Sequence, residues 1–374
     1  MTERVKIMAR IGNPKVLLDE LDIKIINLLR QNPRNISWIA RRLNLPIETV
    51  RYRVNRLCNR LKVVKVRADV DYHKIGLRAL LVLVEAPSYE VTERYLNLDN
   101  AIFFAPMYGT IDGYLAIYLT PREREHVIRD YLNVLRDEGI IYFYRILELS
   151  EIIRPFPQFD KYFNHKECRW NNDFLRWIKG IKRREVRPQE YEEGVSLDEI
   201  DVLLLKELET DATTPLASIA RKIGISPQNL EYHYKEHVLN RGLIRGFNID
   251  FRGKLVETSL VKLMLIEFES EGWSHGFINA VMDRPFIHFC SFVRNKREYV
   301  MVLFRLGYHE YMEFLYSIKL LKDSGIIRGV NKFVLDRNRM VERGLPNPKY
   351  YKKGSWELDA KVRLIINKVK VGRE

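Results

Sequence analysis

The chain has 374 residues and carries 63 Lys and Arg against 49 Asp and Glu, a formal net charge of +14 that predicts an anionic partner. Its length allows two to four domains, and its apolar stretches are of strand length, which argues against a helix that spans a membrane. Charges throughout the amino terminus predict no secretion signal, and three isolated cysteines exclude a close-spaced metal or redox motif, so we expect a cytoplasmic protein.

The first half opens with a pattern typical of three short helices. The second helix, Ile36–Leu43, ends at Asn44, a residue that tolerates the left-handed conformation of a sharp turn, and a third helix is predicted from about Pro46 to Arg60. Helix, tight turn and helix with apolar residues on the shared side form a helix-turn-helix, whose last helix enters the DNA major groove. From Arg34 to Arg67, ten Lys and Arg stand against Glu48 alone. This charge favours DNA binding over a domain that only contacts proteins.

Strand, helix, two strands, helix and strand are predicted next, over 79–149, with the second helix at Pro121–Glu138 and capped by Thr120. This βαββαβ order is that of a ferredoxin-like sandwich, with helices on one face of an antiparallel sheet. We predict that the other face is covered by the equivalent sheet of the second half. The residues predicted for that face include Leu81, Leu83, Tyr114 and Ala116.

After a connection with a predicted helix at 170–184, the same pattern begins again. The letters LDELD at 18–22 return as LDEID at 197–201, and LRDEGII at 135–141 returns as LKDSGII at 321–327. The offset grows only from 179 residues (197 − 18) to 186 (321 − 135), whereas stacked repeat units recur every 20–50 residues. The sequence therefore predicts a duplicated domain pair.

The second helix-turn-helix carries clear start and stop signals. Ser196 and Glu199 have the spacing of a capping box before its first helix. Gly224 ends its second helix, and Ser226 followed by Pro227 begins its third. A βαββαβ pattern follows over 261–335, and a last helix is predicted from Ser355 to Val371, which we expect to pack against the body.

The predicted fold class is α+β, with two copies of a winged helix-turn-helix followed by a ferredoxin-like βαββαβ domain. The predicted helix-turn-helix domains are 1–73 and 194–252, the sheet domains 74–155 and 253–336, the connection 156–193 and the basic tail 337–374. Side chains opposite the apolar stripe of each third helix, with neighbouring cations, are predicted to contact DNA. In the first half they are Arg41, Arg42, Thr49, Arg51, Tyr52, Arg53, Asn55, Arg56, Arg60 and, on a basic segment interpreted as a wing, Lys65; in the second half they are Gln228, Asn229, Tyr232 and Lys235.

Several segments carry a family resemblance: 197–201, 219–227 and 241–246 in the second half, and 18–22 and 39–43 in the first. With the βαββαβ pattern, they resemble the Lrp/AsnC (feast/famine) family of transcriptional regulators. The resemblance implies an archaeal or bacterial sequence-specific regulator with double-stranded DNA as partner, no membrane association and no enzymatic activity. Because family members usually dimerise, the duplicated chain is expected to be a monomeric pseudo-dimer or a homodimer.

In that family the sheet domains often bind a small effector, commonly an amino acid. The family's Gly- and Asp-containing strand connection looks like the segment 109–113 here, which implies effector contacts from Gly109, Thr110 and Asp112. A plain hairpin turn is the simpler interpretation of these residues. The second half has RNKR at 294–297 instead and lacks the glycines.

No nucleotide-binding or hydrolase motif occurs, so no cofactor is expected. His233 and His237, four residues apart, could chelate a metal, but we predict a surface or phosphate role and no metal site. One alternative is a siroheme decarboxylase, an enzyme that resembles this fold and also has paired halves. Its candidate residues would be His288 and Arg294, with Phe103 where the first half needs a histidine. The other alternative is an architectural protein that binds DNA without sequence preference.

Overall fold

A computed structural model describes residues 18–164, 169–186, 194–251 and 259–359, together with 362, 363, 365 and 366. The predictions for the amino terminus, for Cys168 and for the end of the tail concern residues outside these ranges. None of the helices within the described ranges is both long enough and apolar enough to cross a membrane.

The first half begins with three helices and a strand. These are α1 (Glu20–Leu29), α2 (Ile36–Leu43), α3 (Ile47–Asn55), which runs into a π-helical turn at Arg56–Arg60, and β1 (Val64–Val70). Asn44 ends α2 with a φ of 53°, so the predicted left-handed turn is confirmed. The remaining elements are β2 (Leu77–Glu85), α4 (Tyr89–Leu96), β3 (Ala101–Gly109), β4 (Gly113–Pro121), α5 (Glu125–Asp137) and β5 (Phe143–Leu149).

A connection and the second half follow. The connection contains α6 (Phe159–Tyr162), β6 (Phe163–Asn164), β7 (Arg169–Trp170) and α7 (Phe174–Lys179). The second helix-turn-helix comprises α8 (Glu199–Thr210), α9 (Leu216–Ile223), α10 (Pro227–Tyr232) with a π-helical turn at His233–Leu239, and β8 (Ile244–Phe251). The sheet elements are β9 (Leu260–Phe268), α11 (Glu271–Val281), β10 (Ile287–Val293), β11 (Lys296–Leu306), α12 (Tyr308–Asp323) and β12 (Ile327–Leu335).

The eight long strands of the two halves form one continuous sheet. Its order is β5-β2-β4-β3 in the first half and β12-β9-β11-β10 in the second. Strand β10 pairs antiparallel with β5 through Val293 and Leu149, and β12 pairs antiparallel with β3, where Phe333 is opposite Gly109. The strands therefore close into a barrel whose two joints both lie between the halves, which leaves these four edges paired.

The barrel interior is one hydrophobic cluster supplied by both halves. Leu81 and Leu83 lie in it with Leu263 and Leu265, and the rings of Phe103 and Phe289 meet at 6.0 Å. The prediction that each inner face covers the other is thus correct for Leu81 and Leu83.

That prediction is wrong for Tyr114 and Ala116. In the register of β2 with β4, Val84 is opposite Tyr114 and Val82 is opposite Ala116, so both have the parity of the outer face. They pack there with Tyr131 of α5. Residues on both faces of β4 are apolar, so the sequence does not indicate which face of the strand points into the barrel.

The helix predicted at Pro121–Glu138 begins only at Glu125. Strand β4 extends through Pro121, which pairs with Leu77, and the backbone N–H of Arg122 donates to the Gly76 carbonyl at 3.2 Å. Sheet pairing therefore takes the residues that were assigned to the first turn of the helix.

The two predicted wings pair with each other. Strand β1 runs antiparallel to β8, from Val64 opposite Phe251 to Val70 opposite Ile244. The valines of β1 are buried. Each strand therefore supplies the hydrogen-bonding edge that the other needs, and phosphate contacts by cations of these two segments stay a prediction.

The connection and the tail both pack against the body. Trp177 of α7 stacks on Phe314 of α12 at 5.6 Å. The tail forms a strand β13 (Val341–Glu342), a 3₁₀ turn (Pro348–Tyr350) and a hairpin of β14 (Tyr351–Lys352) with β15 (Ser355–Trp356). The predictions of a helix over 170–184 and of a helix that begins at Ser355 are wrong in extent, since α7 ends at Lys179 and Ser355 lies in β15.

Candidate nucleic-acid interface

The recognition helix of the first half, α3, is held by its apolar stripe. Val50 and Leu57 are fully buried, and this turns Arg51 and Tyr52 to solvent. Tyr52 is 56% exposed, and Tyr232 at the matching place in the second half is also 56% exposed. An exposed tyrosine on each recognition helix is available to stack on or hydrogen-bond to a nucleic acid.

Exposed cations surround α3. Arg41 and Arg42 end α2, and the Arg42 guanidinium lies 5.3 Å from the Trp38 ring. Arg60 lies over the Tyr52 ring at 5.5 Å. Arg51 pairs with Glu48 one turn earlier, and both side chains are more than half exposed. Such surface contacts contribute little free energy, so DNA phosphates can replace them.

Arg53 and Arg56, which are predicted to contact DNA, are engaged with carboxylates of their own domain. Both guanidiniums bind the carboxylate of Asp22, whose side chain is fully buried, and Arg53 also lies 2.6 Å from Asp19. Burial raises the pKa of Asp19, but the hydrogen bond and the charge of Arg53 outweigh it, so that the pKa lies below its ordinary value. These two arginines hold α3 to the start of α1.

Other residues of the basic cluster are also engaged inside the molecule. Arg34 lies over the ring of Tyr234, 4.2 Å from its centroid, in a contact between the two halves. Lys65 lies on β1 and lines a cavity described below, and its contact with DNA stays a prediction. Thr49 and Asn55 are half-buried, and Asn55 accepts a hydrogen bond from Asn59 at 2.8 Å. The cations that stay exposed beside α3 are Arg41, Arg42, Arg51, Arg60 and Lys62.

The recognition helix of the second half, α10, is less basic. Gln228 and Asn229 are exposed on it, and Lys235, exposed on the π-helical turn that follows, pairs with Glu231 at 2.7 Å. The Ser226 hydroxyl accepts from the Asn229 backbone N–H at 3.2 Å, which confirms the predicted cap. The structure thus leaves polar groups suited to base edges on α10, with fewer unpaired cations for phosphates.

The first helix of the second half starts later than predicted. Asp198 precedes α8, and its carboxylate accepts from the Asp201 backbone N–H at 2.9 Å, while Asp201 accepts from the Asp198 N–H at 3.2 Å. The capping box of Ser196 and Glu199 is therefore wrong. Asp19 and Asp22 form the same reciprocal pair before α1.

His233 and His237 do not form a solvent-facing pair, so their predicted surface or phosphate role is wrong. His233 is buried, and the Nδ1 atoms of both rings lie 2.8 and 3.0 Å from Oδ1 of Asp201. Asp201 is fully buried, like Asp22 in the first half. The signal that the sequence offered for both carboxylates is an acid at the third helical position, within an otherwise apolar stripe.

The residues that a siroheme decarboxylase would need are not brought together. Nε2 of His288 lies 3.0 Å from Oε1 of Glu342, whose carboxylate accepts the hydrogen bond, and Arg294 pairs with Glu148. They stand at opposite ends of β10, about 20 Å apart at the rise of a strand. His288 and Arg294 therefore do not belong to one site.

The segment predicted to bind an effector forms the hairpin between β3 and β4. The Gly109 N–H donates to Asp112 at 3.0 Å, and a Cβ at Gly109 would lie 2.4 Å from the carbonyl oxygen of Lys332. Gly109 therefore permits the close approach of β12 at the joint. An effector contact by Gly109, Thr110 or Asp112 stays a prediction.

A cavity of about 480 Å³ lies where β1, α8 and the tail meet. Its lining carries more basic than acidic side chains, which favours an anionic or zwitterionic small molecule. The charged lining residues are Lys65, Arg67, Lys206, Arg343 and Lys349, with Asp99, Glu209 and Glu342.

Comparison with known proteins gives two kinds of similarity. A profile of the AsnC-type helix-turn-helix domain matches residues 18–57 and 197–232. Transcriptional regulator AzlB of Bacillus subtilis is 23% identical over 144 residues, 38% of this chain and 90% of that protein. An uncharacterized HTH-type transcriptional regulator of Pyrococcus abyssi is 44% identical over 108 residues, 28% of this chain and 68% of that protein. The crystal structure of the siroheme decarboxylase NirDL superposes with a TM-score of 0.58 at 10% identity, covers 93% of this chain and 99% of that one, and shows the fold alone.

The Asp22 contact predicts different stabilities for substitutions of two arginines, Arg51 of α3 and Arg56 of the π-helical turn that follows it. We expect Arg56→Met to lower the free energy of unfolding by about 1–3 kcal/mol, because it removes a charged hydrogen bond from a buried carboxylate. Arg51→Met, the matched control with an exposed partner, should change it by less than about 0.5 kcal/mol. Chemical denaturation of the full chain measures both. Equal losses would show that Arg56 does not support the fold.

Proposed function

The chain belongs to the AsnC/Lrp family of helix-turn-helix transcriptional regulators, and we propose that it binds double-stranded DNA in a sequence-specific manner, with its two halves acting as a pair. The exposed, basic face of α3 carries this proposal: Arg51 and Tyr52 are exposed to solvent, while Val50 of the same helix is buried against the rest of the domain. The polar face of α10, with Gln228 and Asn229, provides a second reading surface.

The pairing of the halves supports a pseudo-dimer within one chain. In this proposal each half is a helix-turn-helix domain followed by a ferredoxin-like domain. The three joints, β1 with β8, β10 with β5 and β12 with β3, lie inside one chain. A second chain is therefore not required to cover these edges.

The two recognition surfaces are proposed to contribute unequally. Arg41, Arg42, Arg60 and Lys62 are exposed with Arg51 around α3, and Glu48 is the one acidic residue of that helix, whereas the exposed Glu231 and Glu236 flank Lys235 on α10 and its π-helical turn. Phosphate contacts supply most of the salt-dependent free energy of binding. The first half is therefore expected to provide most of the affinity, and the second half to add selectivity.

Salt dependence tests this division of roles. If about six phosphates are neutralised, the slope of log K against log salt should be near −5. Arg51→Ala with Arg60→Ala should make that slope shallower by about two units, since each phosphate contact contributes about one. The matched control, Lys222→Ala with Lys235→Ala in the second half, should change it by less than one. Equal changes in the two double variants would contradict the asymmetry.

Selection of bound sequences from a random DNA pool tests sequence-specific regulation itself. Two different recognition helices should select a non-palindromic site, with one strongly and one weakly specified half. Arg51 matches the two acceptors of guanine, and Asn229 or Gln228 matches adenine. A short, perfectly palindromic motif would refute the unequal roles. No enriched motif at all would favour the architectural alternative, in which binding has no sequence preference.

The enzymatic alternative rests on a fold likeness only. His288 and Arg294 are each bound to a carboxylate and lie at opposite ends of a strand, so they support no porphyrin site. We therefore propose that the chain is not a siroheme decarboxylase. An absorption band of a bound porphyrin in the purified protein would overturn this.

We further propose that an effector, an amino acid or a similar zwitterion, enters the charged cavity between β1 and α8. The carboxylate of the effector would meet cations such as Lys65 and Lys206. The volume of the cavity lies within the range of small-molecule sites. Thermal unfolding in the presence of each amino acid should show a raised midpoint for one of them. Lys65→Met should remove that shift. Its removal by Thr110→Ala would instead place the effector at the hairpin.

A further inference from the structure

Four side chains with metal-binding atoms meet at the base of the second recognition helix. Asp198 and Asp201 come from the start of α8, and His233 and His237 from the π-helical turn after α10. One ligand atom of each lies within 4.8 Å of those of the other three. His233 and Asp201 are buried, and His237 is half-buried.

The two carboxylates each keep one oxygen directed at the imidazoles. Oδ1 of Asp198 and Oδ2 of Asp201 accept the backbone N–H groups of the capping box. The other oxygens, Oδ2 of Asp198 and Oδ1 of Asp201, lie 3.5 and 2.8 Å from Nδ1 of His233. Capping therefore does not use up the atoms that would ligate a metal.

The first half has arginine partners for the equivalent carboxylates, and the second half has none at these positions. There the equivalent carboxylates, Asp19 and Asp22, are neutralised by Arg53 and Arg56. In the second half imidazoles replace both guanidiniums, and an imidazole nitrogen can ligate a metal ion, which a guanidinium cannot. A buried carboxylate that lacks a compensating charge carries a large desolvation penalty. A divalent cation would supply the two positive charges that the arginines supply in the first half.

Distances within the cluster fit tetrahedral coordination. With bonds of about 2.0–2.1 Å to nitrogen and oxygen, neighbouring ligands around Zn²⁺ are separated by roughly 3.3 Å. The Nδ1 atom of His233 lies 2.8 and 3.5 Å from the two carboxylates, and that of His237 lies 3.0 and 3.9 Å from them. These four nitrogen–oxygen distances lie within about 0.6 Å of 3.3 Å, so small side-chain rotations would bring the four ligand atoms to the separations of a tetrahedral complex.

We propose that Asp198, Asp201, His233 and His237 form a divalent transition-metal site, with Zn²⁺ the ion that the donor set fits best. Two imidazole nitrogens with two carboxylate oxygens suit Zn²⁺ more than the oxygen-seeking Mg²⁺ or Ca²⁺. The bound ion links the start of α8 to the end of the recognition helix. It does in the second half what the arginine pair does in the first.

Metal titration of the full, untagged chain tests the site. After removal of metal with a chelator, Co²⁺ should bind at one equivalent per chain with the absorption of a tetrahedral complex, and Zn²⁺ should displace it. His237→Gln should weaken binding by more than the roughly 10- to 100-fold that loss of a supporting residue costs. The matched control is His309→Gln, an exposed histidine of α12, and it should leave the affinity and stoichiometry unchanged.

Asp198→Asn guards against misfolding of the histidine variant. An asparagine still caps α8, so this variant should keep its circular dichroism spectrum and yet bind Co²⁺ more weakly. Zn²⁺ should also raise the unfolding temperature of the wild-type chain by more than that of either variant at the same concentration. Absence of a stoichiometric Co²⁺ site in the wild-type chain would overturn the proposal. Equal affinity of wild type and His237→Gln would overturn it as well, because the metal would then lie elsewhere.

Discussion

Backbone hydrogen bonding between the edge strands of the two halves is the interaction on which the rest of the structure depends. A four-stranded sheet with two free edges offers unpaired N–H and C=O groups and an apolar inner face. Here β5 and β3 of the first half meet β10 and β12 of the second, so all four edges are paired. The inner faces then share one core, and the helices remain outside. The pairing of β1 with β8 adds a third joint beneath the recognition helices.

The two helix-turn-helix units on this scaffold share a geometry and yet use different side chains at one buried position. In each unit an aspartate at the third position of the first helix is buried against the end of the recognition helix. The first half satisfies Asp22 with two arginines, and the second satisfies Asp201 with two histidines. The same scaffold contact therefore tolerates different partners, and the outward residues of the two recognition helices differ as well.

Local patterns in the sequence were sufficient for most elements, because apolar periodicity and turn residues act over a few positions. The βαββαβ order predicted over 261–335 is present as the elements from β9 to β12, and Asn44 and Gly224 end their helices as predicted. Errors arose where a distant partner decides the outcome. Tyr114 faces the helices because of its register with β2, and the first-half segment interpreted as a wing pairs with a strand of the other half. A single sequence contains no signal for either contact.

Because the joints between the halves lie within one chain, the pairing of the halves responds differently to protein concentration than the pairing of separate chains does. When two separate chains form such a contact, the fraction that is paired falls as the protein becomes scarce, by mass action. Here Met107 and Leu335 belong to one polypeptide, so each half meets its partner at an effective concentration set by the connecting chain. The pairing of the halves is therefore the same at a few copies per cell as at thousands. A gene regulator built in this way can be made in very small amounts without losing the pairing of its two DNA-reading units.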